Sequence, residues 1–411
     1  MWLGSVLKTF RRGEYAELMG LYLLQGAALG MWFVPLSTVL AAHGLSALRS
    51  YAFATSAVAA FVTPLFFGAV ADRHASPVRV LRWLALATAV TMALASTAIW
   101  IGAGPGVVLA AIQLHALCSA PTWSIASTVV FARIANSPQP FGPIRAMATI
   151  GWLGGCLVVS ALGADQSTLS GYAGAVVWLA VAGITFLLPL GAEMRGAERL
   201  TWAQRLGLDA LSLLRHRDHR VVFLTTALAS IPLAGFYPNA PLHLQALGFE
   251  RTAAWMSLGQ ITEVVAMLSL GALMLRWRLK WILAWGLIFG VVRFALSALD
   301  TPSGLVASIL LHGGSYTLVW ITAQIYLNER VDPAWRARGQ ALMSMLNGGV
   351  GNLAGYLSVG FWFTMCASHR DRPWTMFWGG LSLACAALLL FFLATYHGRG
   401  SGPRRNVGAT Q

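Results

Sequence analysis

Gly191-Ala-Glu-Met-Arg195-Gly-Ala-Glu-Arg199-Leu-Thr-Trp-Ala-Gln-Arg205-Leu-Gly-Leu-Asp209-Ala-Leu-Ser-Leu-Leu-Arg215-His-Arg217-Asp-His-Arg220 is the one long polar stretch in this chain. Everything on either side of it is a succession of apolar runs. A membrane-crossing helix needs about 20 apolar residues. Runs of that kind precede the stretch near 18–42, 50–71, 79–102, 105–133, 143–163 and 171–190, and follow it near 221–246, 252–275, 280–298, 303–329, 338–364 and 374–396. The pattern predicts an all-α membrane protein of twelve transmembrane helices in two six-helix bundles. One bundle spans 1–190, a cytoplasmic central loop 191–220, and the second bundle 221–411. Composition agrees: 57% of the 411 residues are hydrophobic and 10% charged, against about 25% charged in a soluble domain. Lipid asks for apolar side chains outside and internally satisfied backbone, and helices supply both. The run at 18–42 follows Lys8, Arg11 and Arg12 but is too long for a signal-peptide core, and is read as a retained first helix.

The formal net charge is +14. A nucleic-acid partner would need Lys and Arg clustered on a soluble face, whereas here they sit in short loops between apolar runs, so no nucleic acid is expected. Loop charge orients the chain instead. With the N-terminus inside, the inner side collects Lys8, Arg11, Arg12, Arg73, Arg79, Arg82, Arg133, the central-loop arginines, Arg276, Arg278, Lys280, Arg330, Arg336, Arg338, Arg399, Arg404 and Arg405. The outer loops hold Arg49, Arg251, Arg370 and Arg372. Both termini are therefore expected in the cytoplasm, on a multi-pass protein of the cell inner membrane.

The sequence carries no HExxH, GxSxG or phosphate-cradling loop, and no catalytic residue, metal site or cofactor is expected. Cys118, Cys156, Cys366 and Cys385 are scattered and form neither a zinc nor a disulfide pattern. A membrane enzyme would place a catalytic cluster at one membrane face, and a sensor would need a soluble output domain. Every loop is too short for that.

Charge inside the membrane is costly and usually functional. Nearly every acidic residue lies in a loop or at a helix end. The exception is Glu263, eleven residues into the eighth run, which at about 1.5 Å per residue is roughly half the membrane. Gln260, at i−3, shares its face. A carboxylate and an amide together can grip the hydroxyls of a polar ligand; a structural Glu bonded to a neighbouring helix is the other reading. On the fifth run Arg145, Thr149 and Trp152 fall at i, i+4 and i+7, one helical face, and suit a flat heterocycle carrying a sugar, unless Arg145 merely faces the cytoplasm. Arg293 is read as structural, snorkelling or meeting a helix C-terminus. His115 and His312 read first as hydrogen-bonded interhelical histidines. Tyr316, Thr317, Trp320 and Gln324 add polar and aromatic character to the tenth helix, as Gln25 and Trp32 do to the first.

Several segments resemble the nucleoside:proton symporter family of the major facilitator superfamily. They are Gly142-Pro-Ile-Arg145-Ala-Met-Ala-Thr149-Ile-Gly-Trp152, Leu206-Gly-Leu-Asp209-Ala-Leu, Gln260-Ile-Thr-Glu263, Arg293-Phe-Ala-Leu, Val331-Asp-Pro-Ala-Trp-Arg336-Ala-Arg-Gly-Gln340 and Asn347-Gly-Gly-Val-Gly351. The loop Gly68-Ala-Val-Ala-Asp72-Arg73, followed by Arg79, is similar to the superfamily's signature loop, in which the Asp-Arg pair, here Asp72 and Arg73, latches an inner gate; the later Gly is missing. The resemblance implies nucleoside import by proton symport, alternating access, and a central site holding Arg145, Thr149, Trp152, Gln260 and Glu263. It also implies nucleoside and protons as partners in a lipid bilayer, and a monomer. Where family members carry an acidic residue on the tenth helix this chain has Thr317. It has Pro232 for a glutamine on the seventh, and His312 at an aromatic position. These positions, with Tyr316, complete the expected cavity wall, and Glu263 is left as the mid-membrane carboxylate able to carry proton coupling. A major facilitator transporter for a sugar or a drug is the alternative, because aromatic cavities with one carboxylate serve those solutes too.

Overall fold

A computed structural model describes residues 15–71, 76–134, 141–190, 201–206, 208–368 and 371–398. Twelve helical passes follow one another. They are α1 (Ala16–Ala42), α2 (Arg49–Ala71), α3 (Pro77–Trp100), α4 (Pro105–Arg133), α5 (Phe141–Ala161), α6 (Leu169–Ile184), α7 (Arg217–Ala246), α8 (Thr252–Arg276), α9 (Leu279–Ala298), α10 (Pro302–Arg330), α11 and α12 (Pro373–Thr395). α11 runs from Pro333–Ser344 through a π-helical Met345–Gly351 into Asn352–Ala367. Nine of the described helices are long and apolar enough to cross a membrane, and α6 is a shorter apolar helix.

Local sequence explains the ends. Proline occupies the first turn of α3, α4, α10 and α12, where its missing N–H would have no partner anyway. α1, α3, α5 and α7 are each followed by a glycine at positive φ, Gly44, Gly102, Gly163 and Gly248, the left-handed cap that other residues adopt only with strain. The outward faces are apolar; Trp100, Phe186, Phe361 and Leu383 are all more than two-thirds exposed, at 67, 68, 68 and 73%. On a soluble protein such surface would drive aggregation, and against acyl chains it is the expected solvent-facing chemistry.

In the first half α1 packs on α5 and α6, and α3 on α4 and α6; in the second, α9 packs on α10 and α12, α8 on α10, and α7 on α11. Two of these crossings fix the interior. Gly26, Gly30, Gly151 and Gly155 put α1 and α5 backbone to backbone: a Cβ on Gly26 would strike the Ala148 carbonyl, and one on Gly151 the Leu23 carbonyl. This is the small-residue packing that membranes favour, where helices gain nothing by hiding from water. Across the molecule, a Cβ on Gly313 of α10 would strike the backbone of Glu263 on α8.

The halves close on each other at the end away from the termini. Asp165, 4% exposed in the α5–α6 connection, accepts hydrogen bonds at Oδ1 from Ser160 Oγ (2.9 Å) and from the backbone N–H of Ala253 (2.7 Å) at the start of α8. Thr252 Oγ1 lies 3.4 Å away, and Ala254 N–H donates to Ser160 Oγ at 2.9 Å. Thr38 donates to the Asp165 carbonyl. An apolar cluster that includes Met31, Cys156, Phe236, Ala240 and Ala253 lies beneath, and the Arg49 guanidinium sits 4.4 Å over the Phe363 ring. The expected gate pair Asp72 and Arg73, and much of the long polar stretch (191–200), lie outside the described residues.

Candidate functional site

α7 carries the sequence Ser230-Ile-Pro232-Leu-Ala-Gly235-Phe-Tyr237-Pro238 and is divided at Gly235. Proline removes one ladder donor and crowds the preceding turn, so a break here is dictated locally. Just past the break, Tyr237 stands among residues of both halves. There it lines a void of about 270 Å³ together with Trp123, Arg145, Thr149, Trp152, Gln260, Glu263, His312 and Tyr316. Seven of the eight residues expected at the ligand site are therefore gathered around one space, contributed by α5, α8 and α10.

Thr317 is the exception. It is fully buried and lines neither this void nor its neighbour. Successive helical residues point about 100° apart, so with Tyr316 on the cavity the next side chain turns away; the π-helical turn Thr317–Ile321 packs on α9. Of the other polar residues singled out in the sequence, Gln25 on α1 is fully buried and lines neither void, while on α10 Trp320 donates to Ser230 Oγ at 3.3 Å and Gln324 is exposed.

The polar groups form a connected set. Arg293 does not snorkel: it is 1% exposed, its guanidinium 4.0 Å over the Phe236 ring. Its Nη1 donates to His312 Nδ1 at 2.6 Å. Guanidinium cannot accept, so Nδ1 of His312 is the acceptor and Nε2 carries the hydrogen of the neutral ring. That Nε2–H donates to the Tyr237 hydroxyl at 3.2 Å. Gln260 Nε2 reaches the same hydroxyl at 3.4 Å and Glu263 Oε2 at 3.5 Å. With two donors already on its oxygen, Tyr237 keeps its own O–H free to donate. The charge of Arg145 and the hydroxyl of Thr149 also bear on the Glu263 carboxylate, and Arg145 lies 5.2 Å from the Trp123 ring centroid. Chemically, this wall offers one carboxylate, one guanidinium, an amide, an imidazole, three hydroxyls and two indoles within one small space. It can hold a neutral polyhydroxylated ligand, and Glu263 can take up a proton there.

A second void of about 430 Å³ adjoins the first, and Leu29, Trp123, Trp152, Leu233, Tyr237 and Tyr316 line both. It extends past Trp32, His115 and Trp178 toward Asn352 and Tyr356. Sequence reading passed over Tyr237, Trp123 and Trp178, because an aromatic in an apolar run looks like packing. For Tyr237 a signal existed in the proline- and glycine-flanked break. For Trp178, in an unbroken run, there was none.

The sequence pattern of the family described as "Nucleoside H+ symporter" matches residues 14–398. YegT of Escherichia coli (strain K12) is 30% identical over 390 residues, covering 88% of this chain and 90% of YegT. The nucleoside permease NupG of the same organism is 25% identical over 363 residues, covering 84% of this chain and 86% of NupG. A crystal structure of NupG superposes with a TM-score of 0.80 at 23% identity over 93% of this chain and 99% of that one. The fucose:proton symporter FucP of E. coli shares the fold at a TM-score of 0.61 and 14% identity over 93% of this chain and 98% of that one.

Proposed function

The chain belongs to the nucleoside H+ symporter family of major facilitator transporters, and from that premise we propose that it imports nucleosides together with protons across the cell inner membrane, by alternating access. The observation that carries the proposal is Glu263: a carboxylate on a membrane helix, lining a void between the halves together with Arg145, Thr149 and Gln260. Such a group is expensive in lipid and is retained where it meets a ligand or a proton.

Gln260 and Glu263 bond to ribose hydroxyls or a base edge, Arg145 adds a donor and balances the carboxylate, and Trp152 and Tyr316 flank the ligand. Glu263 takes up a proton from outside and releases it inside. Thr317, standing where relatives carry an acid on the tenth helix, contributes no wall to the void, which supports Glu263 as the coupling group, with His312 held neutral beside it. The bonds from Asp165 and Ser160 to the start of α8 close the end away from the termini; with the termini in the cytoplasm, as the basic loops favour, this is an inward-facing state. The halves 1–190 and 221–411 rock about the site around the 191–220 loop, each monomer working alone, with Asp72 and Arg73 latching the inner side.

The test is uptake of labelled uridine and adenosine into proteoliposomes under an imposed pH gradient, with sugars as competitors. Accumulation driven by the gradient, blocked by unlabelled nucleosides and indifferent to sugars, is expected. Failure of every nucleoside to enter or compete overturns the proposal.

A further inference from the structure

The turn between α8 and α9 lies at the end of the molecule that carries the termini. It is two residues long, because α8 ends at Arg276 and α9 begins at Leu279. The sequence across it is Leu275-Arg276-Trp277-Arg278-Leu279-Lys280-Trp281, and no Asp or Glu occurs between Glu263 and Asp300. Arg276 and Arg278 are exposed, and among the described residues neither pairs with a carboxylate. Lys280 gives one of its three ammonium hydrogens to the Leu393 carbonyl in the last turn of α12, at 3.2 Å. The α10–α11 turn on the same side is of mixed sign, with Glu329, Arg330 and Asp332. The α8–α9 turn is thus a cationic spot without an internal counter-charge.

Aromatic rings continue from that spot along the membrane-facing side of α9. Trp277, Trp281 and Trp285 are 44, 52 and 41% exposed. The Trp277 and Trp285 rings lie 6.3 Å apart between centroids, and those of Trp285 and Phe289 6.2 Å apart. Trp285 and Phe289 stand about 9 and 15 Å along α9 from Leu279, at about 1.5 Å per residue. The hydrocarbon core of a bilayer is about 30 Å thick, so the column reaches from the turn to about the depth of one leaflet. Loop charge explains basic residues at this end, and an interfacial belt explains tryptophan at headgroup level. Neither asks for a ring column one leaflet deep beneath an acid-free cationic turn.

We propose that the α8–α9 turn binds an anionic phospholipid, its phosphate held by Arg276, Arg278 and Lys280 and an acyl chain laid along Trp277, Trp285 and Phe289. Guanidinium is planar, weakly hydrated and matched to phosphate oxygens in pairs. A zwitterionic headgroup brings its own cation into a turn that has no acid to receive it, and is disfavoured. Free phosphate matches the arginines but leaves the ring column bare, so the two parts together select a lipid over a small anion. The site lies on the outside of the second half, away from the central void, and does not depend on which solute the chain carries.

The experiment is native mass spectrometry of the purified full-length protein in detergent, titrated with dioleoyl phosphatidylglycerol or dioleoyl phosphatidylcholine. The native protein is expected to retain phosphatidylglycerol in preference. Arg276→Gln with Arg278→Gln is expected to weaken phosphatidylglycerol by roughly fivefold for each arginine removed and to leave phosphatidylcholine as it was. Arg215→Gln with Arg217→Gln takes the same charge from exposed positions at the start of α7 and is expected to leave the preference intact. Trp285→Ala is expected to weaken both lipids by a similar factor, because it interrupts the column and keeps the charge. Equal loss in the two arginine pairs would mean diffuse attraction to the whole basic end, and overturns the site. So does native affinity for both lipids in Trp285→Ala. On the native protein, inorganic phosphate at millimolar concentration is expected not to displace phosphatidylglycerol; displacement marks a small-anion site and overturns the lipid assignment without any variant having to fold.

Discussion

Replacing Asp165 by asparagine removes one negative charge from the contact that holds the halves together away from the termini. The carboxylate is 4% exposed and takes the Ala253 N–H at 2.7 Å, with Thr252 Oγ1 at 3.4 Å. Its bond from Ser160 lies within the first half and survives opening, so it does not count. A hydrogen bond to a charged acceptor contributes about 1.5–3 kcal/mol and one to a neutral acceptor about 0.5–1.5 kcal/mol. The amide oxygen of asparagine can still accept the Ala253 N–H, so that bond weakens by about 1 kcal/mol. Losing a negative charge at the start of α8 forfeits a further ~0.3–1 kcal/mol of dipole interaction. The sum, about 1.3–2 kcal/mol, moves the closed-to-open ratio by roughly 10- to 30-fold, at about 1.4 kcal/mol per decade. Spin labels at Leu162, half-exposed just past the end of α5, and Arg251, just before α8, in a background lacking Cys118, Cys156, Cys366 and Cys385, report the separation directly. Asp165→Asn is expected to transfer population from the short to the long distance. An unchanged distance distribution refutes the latch, whatever uptake does.

Other substitutions test the site itself. Glu263→Gln is expected to abolish pH-gradient-driven accumulation and to flatten the pH dependence of uptake while counterflow of nucleoside persists; a native pH profile in the variant counts against coupling at this carboxylate. Arg145→Ala is expected to remove measurable nucleoside binding by calorimetry, and native affinity would take Arg145 off the cavity wall. Tyr237→Phe deletes the hydroxyl that joins His312 to Gln260 and is expected to weaken binding by roughly fivefold, about 1 kcal/mol for one neutral hydrogen bond, with unchanged affinity the contrary result. Gly313→Val drives side-chain atoms into the Glu263 backbone. It is expected to lower the melting temperature in detergent and to disrupt transport without altering any polar group, and a fully active, equally stable variant would mean that the α8–α10 crossing is looser than described.

The element count and the face shared by Arg145, Thr149 and Trp152 were legible in the chain because membrane helices obey two local rules. A run must be long enough to cross, and residues at i, i+3, i+4 and i+7 share a side. Gln260 and Glu263 followed from the same spacing together with the cost of charge in lipid. The family pieces pointed to the same pockets of chemistry. Thr317 was misplaced by that route because matching a motif position fixes a place along the helix and leaves its angular direction to packing; one step from Tyr316 takes it off the wall of the void. Arg293 read as structural, snorkelling or meeting a helix C-terminus, because its partner, His312, lies on another helix.

By itself the sequence determined what is written in periodicity and solvent: twelve apolar helices, their ends, and which side chains are too polar to face lipid. Only the tertiary structure decided what those side chains meet. The Arg293–His312–Tyr237–Gln260–Glu263 connection joins four helices, and the Asp165 contact joins the two halves across 87 and 88 residues of sequence. Hydrogen bonds are short-ranged and directional, so contacts at such separations exist only once the glycine crossings of α1 with α5 and α8 with α10 have set the helices against each other.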